Sequence, residues 1–191
     1  MKKISKIKKI ALLLGLCFSL NSSMSWALGF GVEGGFKQQS GDTLEGYSSS
    51  SQVGYQFGAV GFFDFSDKLA FRSGLMYSQR PLKITNDNTQ QSTTLALTYF
   101  DVPLSLVVKF EDYMGVYLGT ALAIQLDKSS SKKSVMDIVD AKSMVFPLQF
   151  GITFKFMPDV GMNLYFEQFG DVAKDLKSYR SVGLNLLFTV E

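Results

Sequence analysis

The stretch Tyr99-Phe100-Asp101-Val102-Pro103-Leu104-Ser105-Leu106-Val107-Val108-Lys109-Phe110, then Glu111-Asp112-Tyr113, then Met114-Gly115-Val116-Tyr117-Leu118-Gly119-Thr120-Ala121-Leu122-Ala123-Ile124-Gln125-Leu126, decides the fold. Every second residue from Phe100 to Phe110 is large and apolar, with Asp101, Pro103, Ser105, Val107 and Lys109 between them. The pattern resumes at Met114. Val116, Leu118, Leu122, Ile124 and Leu126 share its face, and Gly115, Tyr117, Gly119, Ala121, Ala123 and Gln125 fall on the other. A period of two marks a β-strand, whose side chains point alternately to opposite faces. Held across a short polar turn, it predicts a hairpin with one greasy face. Arms of about 11 or more residues exceed the usual strand of about 5–6 and match what a tilted strand needs to cross a bilayer.

The same alternation recurs at 28–37, 53–65, 69–78, 143–156, 160–167 and 181–190, which with the central pair makes eight strands. The predicted connections alternate between short (66–68, 111–113, 157–159) and long and polar (38–51, 80–92, 127–142, 170–178). A soluble meander has no reason for that asymmetry, whereas transmembrane barrels have short periplasmic turns and longer outer loops. Directly opposed residues share a face, so face parity demands odd-length turns. Three residues fit each case, with Phe65 opposite Leu69, Phe110 opposite Met114 and Phe156 opposite Val160. Residues 134–141 read either as a short helix or as extensions of the strands.

The chain opens with Lys2, Lys3, Lys6, Lys8 and Lys9, then an apolar run at 10–20 and a small-residue site at Ser25-Trp26-Ala27. These features define a secretory signal peptide, 1–27, cut after Ala27. The run falls short of the ~20 apolar residues of a membrane anchor, and Leu16 before Cys17 does not fit a lipoprotein site. The leader holds five of the 19 basic residues and none of the 17 acidic ones, so 28–191 carries a net charge of −3. Its basic character belongs to export and implies no nucleic-acid partner. The only cysteine leaves with the leader, so no disulfide or thiolate chemistry is expected.

The two faces decide the surroundings. A soluble eight-stranded barrel of the lipocalin kind would turn its apolar face inward. The apolar set here is larger than a narrow interior holds, and the opposite face, of Gly, Ala, Ser, Tyr, Gln and single charges, is poor material for a solvated surface. Lipid outside and small or polar groups inside satisfies both, provided the sheet closes, because an open edge in hydrocarbon leaves backbone groups unpaired. Pro103 and Pro147 each remove a ladder donor and are expected at a bulge or near the outer rim. Lumen glycines make room for Arg72, Tyr117 and Tyr165. Tyr55, Tyr77, Tyr99, Phe146 and Tyr179 at one end, and Phe65, Phe110 and Phe156 at the other, are the expected interfacial girdles.

The segments Phe71-Arg72-Ser73-Gly74-Leu75-Met76-Tyr77 and Tyr99-Phe100-Asp101-Val102-Pro103-Leu104 resemble the small outer-membrane β-barrel proteins of Gram-negative bacteria (porin-family, OmpX/OmpA-like). There a strand reading Arg-x-Gly-Leu-x-Tyr precedes one reading Tyr-Leu-Glu-Ile-Pro-Leu. The resemblance spans 28–191 and implies outer-membrane location and eight strands, with no single activity. Such barrels usually end in an aromatic residue, whereas Phe188-Thr189-Val190-Glu191 stands here, and Phe188 is the candidate substitute.

Histidine is absent from the chain, which removes the general base that serine nucleophiles require and, with cysteine gone, the usual zinc ligands. No enzyme activity, metal or cofactor is expected. The lumen charges balance: Glu33, Asp64, Asp101 and Glu167 against Lys37, Arg72, Lys109 and Lys155. They read as a packed ion-pair network rather than an ion path, with Arg72 clasped to Asp101 on the neighbouring strand. The chain is therefore read as all-β, an eight-stranded antiparallel up-and-down transmembrane β-barrel behind a cleaved leader. Its expected role is structural or surface interaction through long polar loops; a small-solute pore is the alternative. Expected partners are outer-membrane lipid, the barrel-assembly machinery during biogenesis, and an unidentified extracellular ligand at the loops.

Overall fold

The computed structural model describes residues 28–132, 135, 141–174 and 176–190. The expected leader, with its expected cleavage after Ala27, and most of 134–141 lie outside them. Among the described residues nine strands follow one another: β1 (Leu28–Thr43), β2 (Tyr47–Ser66), β3 (Leu69–Asn86), β4 (Ser92–Glu111), β5 (Met114–Ser130), β6 (Met144–Val145), β7 (Leu148–Met157), β8 (Val160–Gly170) and β9 (Leu176–Val190). Sequence neighbours pair antiparallel, except that β6 and β7 both pair with β5, and β1 pairs with β9, so the sheet closes on itself. β6 and β7 lie end to end beside β5 in one register, Ala123 against Val145 and Thr120 against Leu148, interrupted at Phe146-Pro147. Counting that broken pair once, the ring has eight staves. Closure leaves no edge to expose backbone groups to hydrocarbon.

The outward face is the predicted apolar one. Leu118, Phe150, Leu184 and Leu186 are each about half exposed or more, as residues that meet lipid must be. Inward, the glycines act as expected: a side chain at Gly183 would overlap the Tyr165 ring, and one at Gly151 the Tyr117 ring.

The turns correct the parity reading. Ser66 pairs with Leu69, Glu111 with Met114 and Met157 with Val160, so each turn has two residues rather than three. A bulge beside each turn, at Phe65, Phe110 and Phe156, absorbs one residue and restores parity at Asp64–Ala70, Lys109–Gly115 and Lys155–Gly161.

The long connections are also shorter than expected, because hydrogen-bonded ladders continue through polar sequence. β1 and β2 run on until only 44–46 separate them. Strands of 16 to 20 residues for β1 to β5 exceed the ~9–11 that span a bilayer, so the barrel stands well clear of the apolar belt at its loop end. Pro147 lies where β6 and β7 part, as a missing donor requires. Pro103 does not sit at a rim or a bulge. It is in mid-wall facing the lumen, where the β3–β4 ladder lapses between Ser73–Leu104 and Met76–Asp101 without losing register.

Candidate functional site

The lumen gathers the charged side chains, and it does so in tiers. In the middle, Arg72 on β3 reaches across to Glu33 on β1, Nη2 to Oε2 2.7 Å. Asn185 on β9 donates to the second Glu33 oxygen, and the Arg72 guanidinium lies 5.1 Å from the Tyr117 ring centre. A planar guanidinium between a carboxylate and an aromatic face is well matched to both.

A larger tier lies toward the loop end. Arg80 grips Asp101 with two contacts, 2.7 and 3.3 Å, and reaches Glu167 at 3.4 Å. Lys37 contacts the same Glu167 oxygen at 3.2 Å. Ser181 and Gln149 each donate to Glu167 at 2.7 Å, and Ser78 donates to Asp101 at 2.7 Å. Two cations and two carboxylates, all buried, thus cancel in charge, the condition for holding ions in a low-dielectric interior. The third tier, Lys109 to Asp64 at 2.7 Å, lies near the turns and is about one third exposed.

Above Arg80 the lumen turns apolar. Leu82 and Ile84 of β3, Leu95, Leu97 and Tyr99 of β4, and Phe169, Leu176 and Tyr179 pack into a cap across the loop end. Arg80 forms its floor, with its guanidinium carbon 4.6 Å from the Phe169 ring centre and 5.0 Å from that of Tyr99, and its carbonyl accepts the Tyr179 hydroxyl at 2.8 Å. Between the middle and upper tiers a cavity of about 20 Å³ remains, lined by Glu33, Arg72, Asp101, Pro103, Tyr117 and Tyr165 among others. That is space for about one water.

Of the residues singled out from sequence, Glu33, Arg72, Asp101 and Glu167 are buried in these tiers, Asp64 and Lys109 pair near the turns, and Lys155 lies half-buried on the inward parity of β7. The Arg72–Asp101 clasp is corrected. Asp101 is taken by Arg80, and Arg72 turns to Glu33 because β1 lies across the narrow lumen within reach. Arg80 falls within the 80–92 connection expected from the sequence, but the structure places it on β3, on the same even parity as Arg72, Met76 and Ser78. Tyr99 and Tyr179 face the lumen rather than forming a girdle. Tyr55 and Phe146 do face outward.

A closed antiparallel ring with a lipid-facing apolar belt and internally neutralised charges defines a small transmembrane β-barrel. Residues 6–185 match the family model described as outer membrane protein beta-barrel domain, and the chain belongs to that family. It is therefore an outer-membrane protein. No curated protein matches the sequence. Solved structures share the fold. Ail, the attachment invasion locus protein of Yersinia pestis, crystallised with the heparin analogue sucrose octasulfate, is 13% identical with a TM-score of 0.54, over 87% of this chain and 100% of that one. OprG from Pseudomonas aeruginosa is 13% identical with a TM-score of 0.51, over 85% and 97%. Neisserial surface protein A is 16% identical with a TM-score of 0.50, over 85% and 96%.

Proposed function

We propose that the chain is a non-conducting, non-enzymatic barrel that anchors a display surface at its loop end. The filled lumen carries this reading. The two inner tiers leave about 20 Å³ between them, and the apolar cap lies across the path above. An ion crossing would have to shed its hydration beside paired charges and then pass a wall of leucine and tyrosine, each step unfavourable by several kcal/mol. Single-channel recording of purified protein in planar bilayers is expected to give no steady unitary current. A resolvable, reproducible conductance would move the small-solute pore to first place.

The reading includes export. Protein extracted from membranes should have the intact mass of a chain starting at Leu28; a species retaining 1–27 would refute cleavage after Ala27.

A further inference from the structure

We propose that the wall at Pro103 holds one buried water molecule, which takes the place of the amide that proline lacks and joins the middle tier to the upper one. The site is independent of whether the lumen conducts.

The position follows from the ladder. Opposed residues of an antiparallel pair are alternately hydrogen-bonded to each other and not. The Lys109 amide donates to the Lys68 carbonyl at 2.8 Å, and β3 and β4 keep one register from Leu69 and Val108 up to Thr85 and Ser92. Counting up by twos, Ala70 bonds with Val107, Arg72 with Ser105, and Gly74 is due to bond with Pro103. The other side of β4 agrees. Ala121, opposite Pro103 on β5, donates its amide to the Pro147 carbonyl and so points away from β4. Proline has no N–H, and the Gly74 carbonyl therefore faces a position where the ladder supplies no donor. Leu75 and Leu104 flank the gap on the outward face, each more than a third exposed, so it lies at the depth of the apolar belt. A carbonyl left unpaired at that depth is strongly disfavoured.

The cavity of about 20 Å³ lies at this gap. Arg72 and Met76, which bracket Gly74 on β3, line it together with Asp101 and Pro103 of β4 and with Gln149 and Tyr165. Three side-chain atoms of these residues have no partner in the protein: Arg72 Nε, Gln149 Oε1 and the Tyr165 hydroxyl. Each belongs to a residue more than nine-tenths buried. One water has the capacity they require. It donates twice, to the Gly74 carbonyl and Gln149 Oε1, and accepts from Arg72 Nε and the Tyr165 hydroxyl, within the two to four partners that hold a buried water. Arg72 belongs to the middle tier and Gln149 donates to Glu167 of the upper one, so the guest bridges the two. Charge selects a neutral guest. Arg72, Arg80 and Lys37 balance Glu33, Asp101 and Glu167, and every oxygen of these carboxylates already accepts a hydrogen bond. A cation would find no unpaired carboxylate there, and an anion no unpaired cation. The sequence segments 71–77 and 99–104 thus meet around one solvent molecule.

The test is diffraction from crystals of the full barrel at a resolution that shows ordered solvent. One isolated peak is expected at hydrogen-bond distance, about 2.7–3.2 Å, from the Gly74 carbonyl oxygen and from at least one of Arg72 Nε, Gln149 Oε1 and the Tyr165 hydroxyl. A protein side chain filling the gap, or a Gly74 carbonyl with nothing bonded to it, would overturn the site. Crystals grown in bromide or in rubidium salts should show no anomalous scattering there; an anomalous peak would identify an ion and overturn the assignment to water. Pro103→Ala supplies the missing amide. In this variant, nuclear magnetic resonance should detect a scalar coupling across a hydrogen bond from the introduced amide to the Gly74 carbonyl, and the solvent peak should lose its contact with that oxygen. Absence of the coupling in the folded variant would show that Gly74 does not face the gap. Tyr113→Phe, at an exposed turn, should leave the peak unchanged. The density of the unmutated protein decides the question even if Pro103→Ala fails to fold.

Discussion

Replacing Arg80 by alanine is expected to lower unfolding stability in detergent micelles by about 3–5 kcal/mol, the range for stripping one partner from a buried ion pair. The guanidinium is fully buried and holds Asp101 by two contacts and Glu167 by a third. Its loss leaves Asp101 with the Ser78 hydroxyl but no cation, and Glu167 with Lys37 as its one remaining cation. Asp101→Ala added to Arg80→Ala should cost less than the two single losses together, because the second change removes the charge that the first left unpaired. Arg72 should couple in the same way to Glu33, and only weakly to Asp101. Since Trp26 is the only tryptophan and lies in the proposed leader, the unfolding signal is best taken from circular dichroism. Additive losses for Arg80 and Asp101 would show that their contact does not contribute to stability.

The second large effect lies on the other face. Leu118→Arg and Phe150→Arg, each introduced singly, should each disfavour folding into lipid vesicles by about 2–4 kcal/mol, whereas Val182→Arg at the rim should cost about 0–1. Leu118 is 60% exposed and opposes Phe150 at 50% in the β5–β7 register, so both meet hydrocarbon near mid-depth. Equilibrium folding into vesicles of defined thickness measures the difference. Mid-strand variants that fold as well as the parent would reverse the assignment of inside and outside.

The barrel was legible because hydrophobic alternation in lipid is strict: Phe100 to Phe110 has no freedom to turn in without burying Asp101 and Lys109 in hydrocarbon. The upper lumen was not, and the reason is physical. Above Tyr77 and Phe100 the outer face meets water while the inner face needs a core, so the amphipathic sense of the strand inverts. Along β3 the inward set runs Arg72, Met76, Ser78, Arg80 and then Leu82 and Ile84, while the outward set passes from Leu75 and Tyr77 to Gln79, Lys83 and Thr85. A reading that follows apolar residues on one fixed parity sees the pattern fail at Arg80 and infers a loop. The parity itself never breaks on β3. The ion-pair partners were less legible still, because parity places a charge in the lumen but gives neither its height nor its reach across it. Arg72 and Asp101 lie on adjacent strands and still choose other partners.

The partners within the lumen come from remote parts of the chain. Lys37 meets Glu167 across 130 residues and Asn185 meets Glu33 across 152, in both cases joining the first stave to the last two. A sheet still open at that seam leaves Glu33 with Arg72 but without Asn185, and Lys37 without Glu167; a charge left alone in an apolar setting is unfavourable by roughly 3–5 kcal/mol. Zipping β1 to β9 relieves both at once. The lumen charges thereby act as a checkpoint on assembly: a misregistered or half-built ring is held on a shallow plateau, and only the correctly closed one drops into a steep well. Their largest contribution lies in the gap between the finished barrel and its near misses, which is what makes one structure the answer.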